Sequence, residues 1–154
     1  MSDSDPDPSE VGRHFEEHGF LSFLGLTVES LDPDDTVVRV PYDEKLTNSG
    51  LGPSHRGELH GGIAATLIDT AAAIACRSAL DNPVESGIAT IDLDVSYLER
   101  AAGDLTAEAS VVRVGGTVGV AEVDVYSDNP EDEDALVAVG KGSYRLFRAE
   151  DADS

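Results

Sequence analysis

His60-Gly61-Gly62-Ile63-Ala64-Ala65-Thr66-Leu67-Ile68-Asp69-Thr70-Ala71-Ala72-Ala73-Ile74-Ala75-Cys76 is a nearly unbroken apolar run that opens on two glycines and holds one carboxylate. Ala, Leu and Ile dominate it, no proline interrupts it before Pro83, and it is too long for a buried strand, so it reads as a helix. A helix apolar all round is a buried one. The first-turn N–H groups of such a helix have no partner inside it, and glycines there let a ligand approach them closely. That end is suited to an anionic or oxyanion-like group. Asp69 then demands a reason, because a buried carboxylate without a partner is costly.

Upstream, Ser9 to His18 has a capping serine, an acidic first turn at Glu10, and Val11 and Phe15 on one face, which predicts a short helix ended by Gly19. His14 and His18 are four apart, but no cysteine or third clustered ligand accompanies them, so ordinary surface histidines are the expectation and no metal is predicted. Phe20 to Leu31 alternates brokenly and reads as a strand bent near Gly25. The turn residues Asp32-Pro33-Asp34-Asp35 join it to the β-branched run Thr36 to Tyr42 as an antiparallel hairpin. Asp43 to Leu59 is an irregular approach to the helix, of a length that more often carries function than not.

Downstream of the break at Asp81-Asn82-Pro83, four strand-like runs follow: Gly87 to Leu98, Leu105 to Val114, Thr117 to Ser127 and Ala135 to Phe147. In the first, Asp92, Asp94 and Ser96 alternate with Ile91, Leu93, Val95 and Tyr97, giving a wet and a dry face. Gly115-Gly116 reads as a tight hairpin turn, and Asn129 to Asp134 as an acidic loop. Helix, two strands, long helix and four strands, without β-α-β alternation, make an α+β chain whose antiparallel sheet covers the long helix. That layout is the hotdog fold.

Composition sets outer bounds. The 154 residues suit one domain over 9–148, with acidic tails at 1–8 and 149–154. Thirty-one acidic against ten basic residues give a formal charge of −21, which disfavours nucleic-acid binding and suits a folded, halophilic protein kept soluble in concentrated salt. Forty per cent hydrophobic content in ordered segments argues against a disordered acidic chain. The N-terminus lacks the basic and apolar regions of a signal peptide, and the long apolar run is short for a membrane span and carries Asp69, so a cytoplasmic protein without membrane partners is expected. Cys76, the single cysteine, reads as a small core residue.

The segment Gly57-Glu58-Leu59-His60-Gly61-Gly62, with Asp69 nine residues beyond the histidine, resembles the motif of hotdog-fold acyl-CoA thioesterases of the phenylacetate-pathway (PaaI-like) branch. The strands Gly87 to Leu98 and Ala138 to Tyr144 and the turn Ala102-Gly103-Asp104-Leu105 are similar to that family too. The resemblance implies hydrolysis of an acyl- or aryl-CoA to the free acid and CoA, with no cofactor. It implies a thioester carbonyl resting on backbone N–H at Gly61, with Gly62 and Gly57 at the substrate and His60 supporting the carbonyl and loop. It further implies Asp69 as general base or nucleophile, and Thr90 as the hydroxyl that places water or carboxylate. From the residues alone, the rival readings are Thr90 as a β-branched strand residue, the glycines as sites of close packing and Asp69 as a structural carboxylate bonded to backbone. Ser54 stands where the family often has asparagine, and its shorter side chain reaches less far toward the carbonyl. Arg100, Arg113 and Lys141 are candidates for CoA phosphates or for surface ion pairs.

Eight or nine helical residues separate the glycines from Asp69, roughly 12 to 13 Å at 1.5 Å per residue. One carbonyl cannot touch both, so the two groups meet only between antiparallel helices of a two-fold pair. A homodimer, paired into a homotetramer as in the family, is expected. A non-catalytic acyl-CoA-binding hotdog protein, acting as sensor or carrier, remains the alternative.

Overall fold

The computed structural model describes residues 8–48, 50–51 and 57–149. Both acidic tails fall mostly outside these residues, as do Ser54, His55 and Arg56. The elements are α1 (Pro8–Glu17), α2 (Gly19–Leu24), β1 (Thr27–Ser30), β2 (Thr36–Val40), a 3-10 turn at Glu44–Leu46, α3 (Gly61–Ser78), β3 (Gly87–Tyr97), β4 (Leu105–Val114), β5 (Val118–Asn129) and β6 (Asp132–Phe147). The strands form one antiparallel sheet in the order β1-β2-β4-β5-β6-β3, wrapped around α3 as the hotdog layout requires.

The sheet reaches α3 because its inner face is lined with small residues. A Cβ added at Gly140 would sit 2.9 Å from Ile68 Cγ2, and one at Gly119 would sit 3.1 Å from Cys76 Sγ. Leu67, Ile68, Ala71, Ile74 and Ala75 are fully buried against Val38, Val40, Leu105, Ala107 and Val125. The helix is not buried all round, however. Gly62, Thr66, Asp69, Thr70 and Ala73 form a stripe at helical spacing that stays half-exposed although the helix is almost wholly apolar.

Three local expectations are corrected. Gly19 does not end a helix but begins α2, and Phe20–Leu24 is helical rather than extended, since its broken alternation is a three-residue spacing that buries Leu21 and Leu24. Gly25 ends α2 at φ 75, its N–H on Ser22 O and the Leu26 N–H on Leu21 O, a Schellman cap that no β-strand would need. The acidic loop at 129–134 is instead a tight turn, because Asn129 pairs with Asp132 and its buried side chain binds Ala102 N, Ser127 Oγ and Arg100 O.

The third correction concerns β3. Among the described residues it pairs only with β6, so it is a sheet edge, and Ile91, Leu93 and Tyr97 on it are exposed rather than dry. The register slips between Thr90 and Asp92, leaving Ile91 as the extra residue of a bulge. Leu93, Val95 and Tyr97 face α3 opposite Gly142, Gly140 and Ala138, while Asp92, Asp94 and Ser96 face away. Uninterrupted alternation would turn Thr90 away with Asp92. The bulge brings it to the inner face, opposite Tyr144.

Candidate active site

Asp69 lies on the half-exposed stripe in the middle of α3 and is met from two strands. Thr90 Oγ1 of β3 donates to Asp69 Oδ1 at 2.9 Å. The Tyr144 phenol of β6 donates to the same Oδ1 at 3.0 Å and to the Asp69 backbone carbonyl at 2.8 Å. Tyr144 is fully buried, and burial together with the neighbouring carboxylate pushes its phenol far above the ordinary range, so it stays a donor. Cys76, one strand position away from that ring through Gly119, has its thiol pushed up to about 11 by burial and is an inert core group. In front of Asp69 a shallow recess is walled by Phe20, Leu21, Ala65 and Leu93, with His18 at its rim.

The start of α3 is built from other parts. His60 caps it with φ −59 and ψ 135, its Nδ1 accepting from Gly62 N at 2.8 Å, which leaves the ring proton on Nε2. Leu59 N donates to Ala101 O and His60 N to Leu46 O, anchoring the entry to the helix. Tyr97 crosses from β3 and donates to Gly61 O at 2.7 Å. Gly62 N–H is therefore committed to the cap, whereas Gly61 N–H has no hydrogen-bond partner among the described residues. A recess of about 390 Å³ opens there, lined by His60, Gly61, Ala64, Tyr97, Leu98 and Arg100. Gly57 sits at its approach with φ 78, its carbonyl accepting from the Tyr42 hydroxyl at 3.1 Å.

The site residues thus fall into two groups. Asp69 and Thr90 are together, and His60, Gly61 and Gly62 are together. At the helical rise of about 1.5 Å per residue the groups are roughly 12 Å apart in one chain. Arg100 is engaged by Glu58 at 3.4 Å and Glu131 at 3.9 Å, and Lys141 lies on the outer face between Asp94 and Glu122. Tyr144 was missed in the sequence. Its signal was Gly140-Lys-Gly-Ser-Tyr144, a large ring two and four residues from side-chain-free positions on the same face. A further recess of about 570 Å³ is on the outer face among Asp104, Glu108, Asp128, Glu133 and Asp134, where a polyanionic ligand is repelled.

A family model described as the thioesterase superfamily matches residues 56–133. A Halobacterium salinarum protein named provisionally as an esterase is 54% identical over 148 residues, covering 95% of this chain and 96% of that protein. The medium/long-chain acyl-CoA thioesterase YigI of Escherichia coli is 34% identical over 149 residues, covering 88% of this chain and 91% of that protein. Among solved structures, a thioesterase family protein from Silicibacter pomeroyi superposes with a TM-score of 0.79 at 25% identity, covering 93% of this chain and 100% of that one.

Proposed function

The chain belongs to the thioesterase superfamily, and from that membership we propose that it hydrolyses an acyl- or aryl-CoA to the free acid and CoA at a site shared by two subunits. The carrying observation is the pairing of an open N–H at Gly61 with a hydroxyl-held carboxylate at Asp69 on one helix, too far apart to serve one carbonyl within a chain. The His60-Gly61-Gly62 motif and Asp69 favour the phenylacetate-pathway branch.

Three features support a two-fold pair. β3 is an unpaired sheet edge, the stripe of α3 around Asp69 is half-exposed, and Ile91, Leu93, Tyr97 and Leu98 present apolar surface beside both. Antiparallel packing of the two helices sets Gly61 of one copy against Asp69 of the other.

In the reaction, the thioester carbonyl oxygen accepts from Gly61 N–H at the positive end of α3. Asp69 of the partner subunit takes a proton from water, the oxygen of that water adds to the carbonyl carbon, and the negative charge moves to the carbonyl oxygen. Collapse breaks the C–S bond. CoA leaves as a thiolate, a good leaving group because thiols ionise near pH 8.5, and is then protonated. Attack by the carboxylate itself, followed by hydrolysis of the anhydride, gives the same products. Phe20, Leu21 and Leu93 offer the acyl group an apolar wall beside Asp69. The charge of −21 and the directly opposed Glu108 and Asp124 on the outer face favour work in concentrated salt, where such repulsion is screened over about 3 Å at 1 M.

The test is a panel of acyl- and aryl-CoA substrates in molar salt, read by free thiol. Asp69→Ala should lower turnover by about 10²- to 10⁴-fold with the fold retained. Tight binding with no thiol release across the panel would instead make the protein a carrier, and an Asp69→Ala variant with full turnover would refute the assigned role.

A further inference from the structure

We propose that Tyr144 is a positioning residue for Asp69, its phenol holding Oδ1 against the helix so that Oδ2 alone faces the reacting water. The inference rests on the hydrolytic reading of the site and adds to it a residue on β6 that touches no substrate.

The geometry is specific. One phenol hydrogen is shared between the backbone carbonyl of Asp69 and its own Oδ1, at 2.8 and 3.0 Å. A donor that grips both atoms of one residue fixes the side-chain torsion between them. Thr90 adds its hydroxyl to the same oxygen at 2.9 Å. Oδ1 therefore receives both hydrogen bonds, while Oδ2 accepts none among the described residues. A carboxylate held this way is oriented before the substrate arrives, which is where much of the advantage of a placed base lies.

The fold makes room for the phenol. A Cβ added at Gly142 would collide with the Tyr144 ring and hydroxyl, so the ring lies across the bare backbone of β6 to reach Asp69. Gly142 is thus the space on which the hydroxyl's position depends. The other titratable groups near this carboxylate are His18 at the recess rim and Cys76 beside the Tyr144 ring, while Asp92 and Asp94 of β3 face the opposite side of the sheet.

Tyr144→Phe keeps the ring and removes the hydroxyl. On whichever acyl-CoA the wild type turns over, kcat should fall about 10- to 100-fold, as expected for a lost hydrogen bond to a charged group, with KM within about threefold. A purely structural tyrosine would leave kcat unchanged in the folded variant, and a kcat within about twofold of wild type would overturn the proposal. A second readout needs no substrate. The Asp69 side-chain torsion, followed through three-bond NMR couplings, should be fixed in the wild type and averaged among rotamers in Tyr144→Phe, because the phenol that grips both ends of it has gone. Unchanged couplings would overturn the proposal even if the wild type hydrolysed nothing, a result that by itself would refute only the hydrolytic reading. Gly142→Ala should reproduce the Tyr144→Phe defect and add nothing to it in the double variant. An undiminished effect in the double variant would refute the part given to Gly142.

Discussion

At its middle α3 is gripped from two strands, by Thr90 of β3 and Tyr144 of β6, both closing on one carboxylate oxygen. At its first turn the side-chain hydrogen bonds among the described residues come from its own His60 cap, the Thr66 hydroxyl on Gly62 O and the Tyr97 phenol, and Gly61 N–H faces a recess. The charged group is fixed before any ligand binds, since a misdirected carboxylate is useless and a wandering one is slow. The donor end can stay open because a backbone N–H in a helix is already rigid. The two ends solve one problem, placing a group, by different means: borrowed hydroxyls for a side chain, helix geometry for a backbone.

The comparison breaks most sharply if the two ends do not cooperate across subunits. Gly61→Pro deletes the free N–H while suiting a first helical position that follows an extended His60, with Tyr97 yielding slightly to the new ring. It should cost about 10²- to 10³-fold in kcat, within the range of about 10²- to 10⁴-fold expected of Asp69→Ala at the other end. Co-expressed with Asp69→Ala subunits, it should recover about a quarter of wild-type activity, because half of randomly formed dimers keep one intact site of two. No recovery would place both groups in one chain's site.

Smaller effects sharpen the contrast. Thr90→Val should lower kcat about tenfold without affecting assembly, measured by steady-state kinetics and sedimentation. His60→Ala should cost about 1 kcal/mol of stability through the lost cap, read by urea unfolding, and thereby separate the histidine's capping from any catalytic part. Least visible is Cys76. With its folded pKa at about 11 against 9.0 ordinarily, the unfolded chain loses that proton first, so its contribution is full below pH 9 and is lost as the pH rises through about 11. In Cys76→Ala the alkaline fall in the urea midpoint should be shallower, and the folded wild type should not react with the thiol reagent of the hydrolysis assay at pH 8.

The central helix, the antiparallel order and Asp69 were legible because each rests on local periodicity or on a residue out of keeping with its surroundings. Phe20–Leu24 was not, since five residues cannot separate a helical spacing from a broken strand, and only the Gly25 cap decides it. Tyr144 escaped for a different reason. Its partner is 75 residues away on α3, and nothing local marks a core tyrosine as hydrogen-bonded to a carboxylate. Thr90 was reached through family resemblance alone, because alternation by itself sets it among the wet residues of β3.

The bulge at Ile91 lets β3 carry one extra residue between two inward-facing sets. Everything C-terminal to it is phased by packing on α3, everything N-terminal by the need to present a hydroxyl to Asp69, and the two phases differ by one residue. Deleting Ile91 would remove an exposed side chain from a sheet edge, an apparently trivial loss. Strand pairing would then keep both phases without a bulge: Thr90 and Asp92 become neighbours opposite the neighbours Tyr144 and Ser143, so Thr90 stays inward together with Leu93, Val95 and Tyr97. A deletion at 91 should therefore leave Thr90 on Asp69 and the packing on α3 in place, and what the extra residue adds is the local bend and twist of the edge strand.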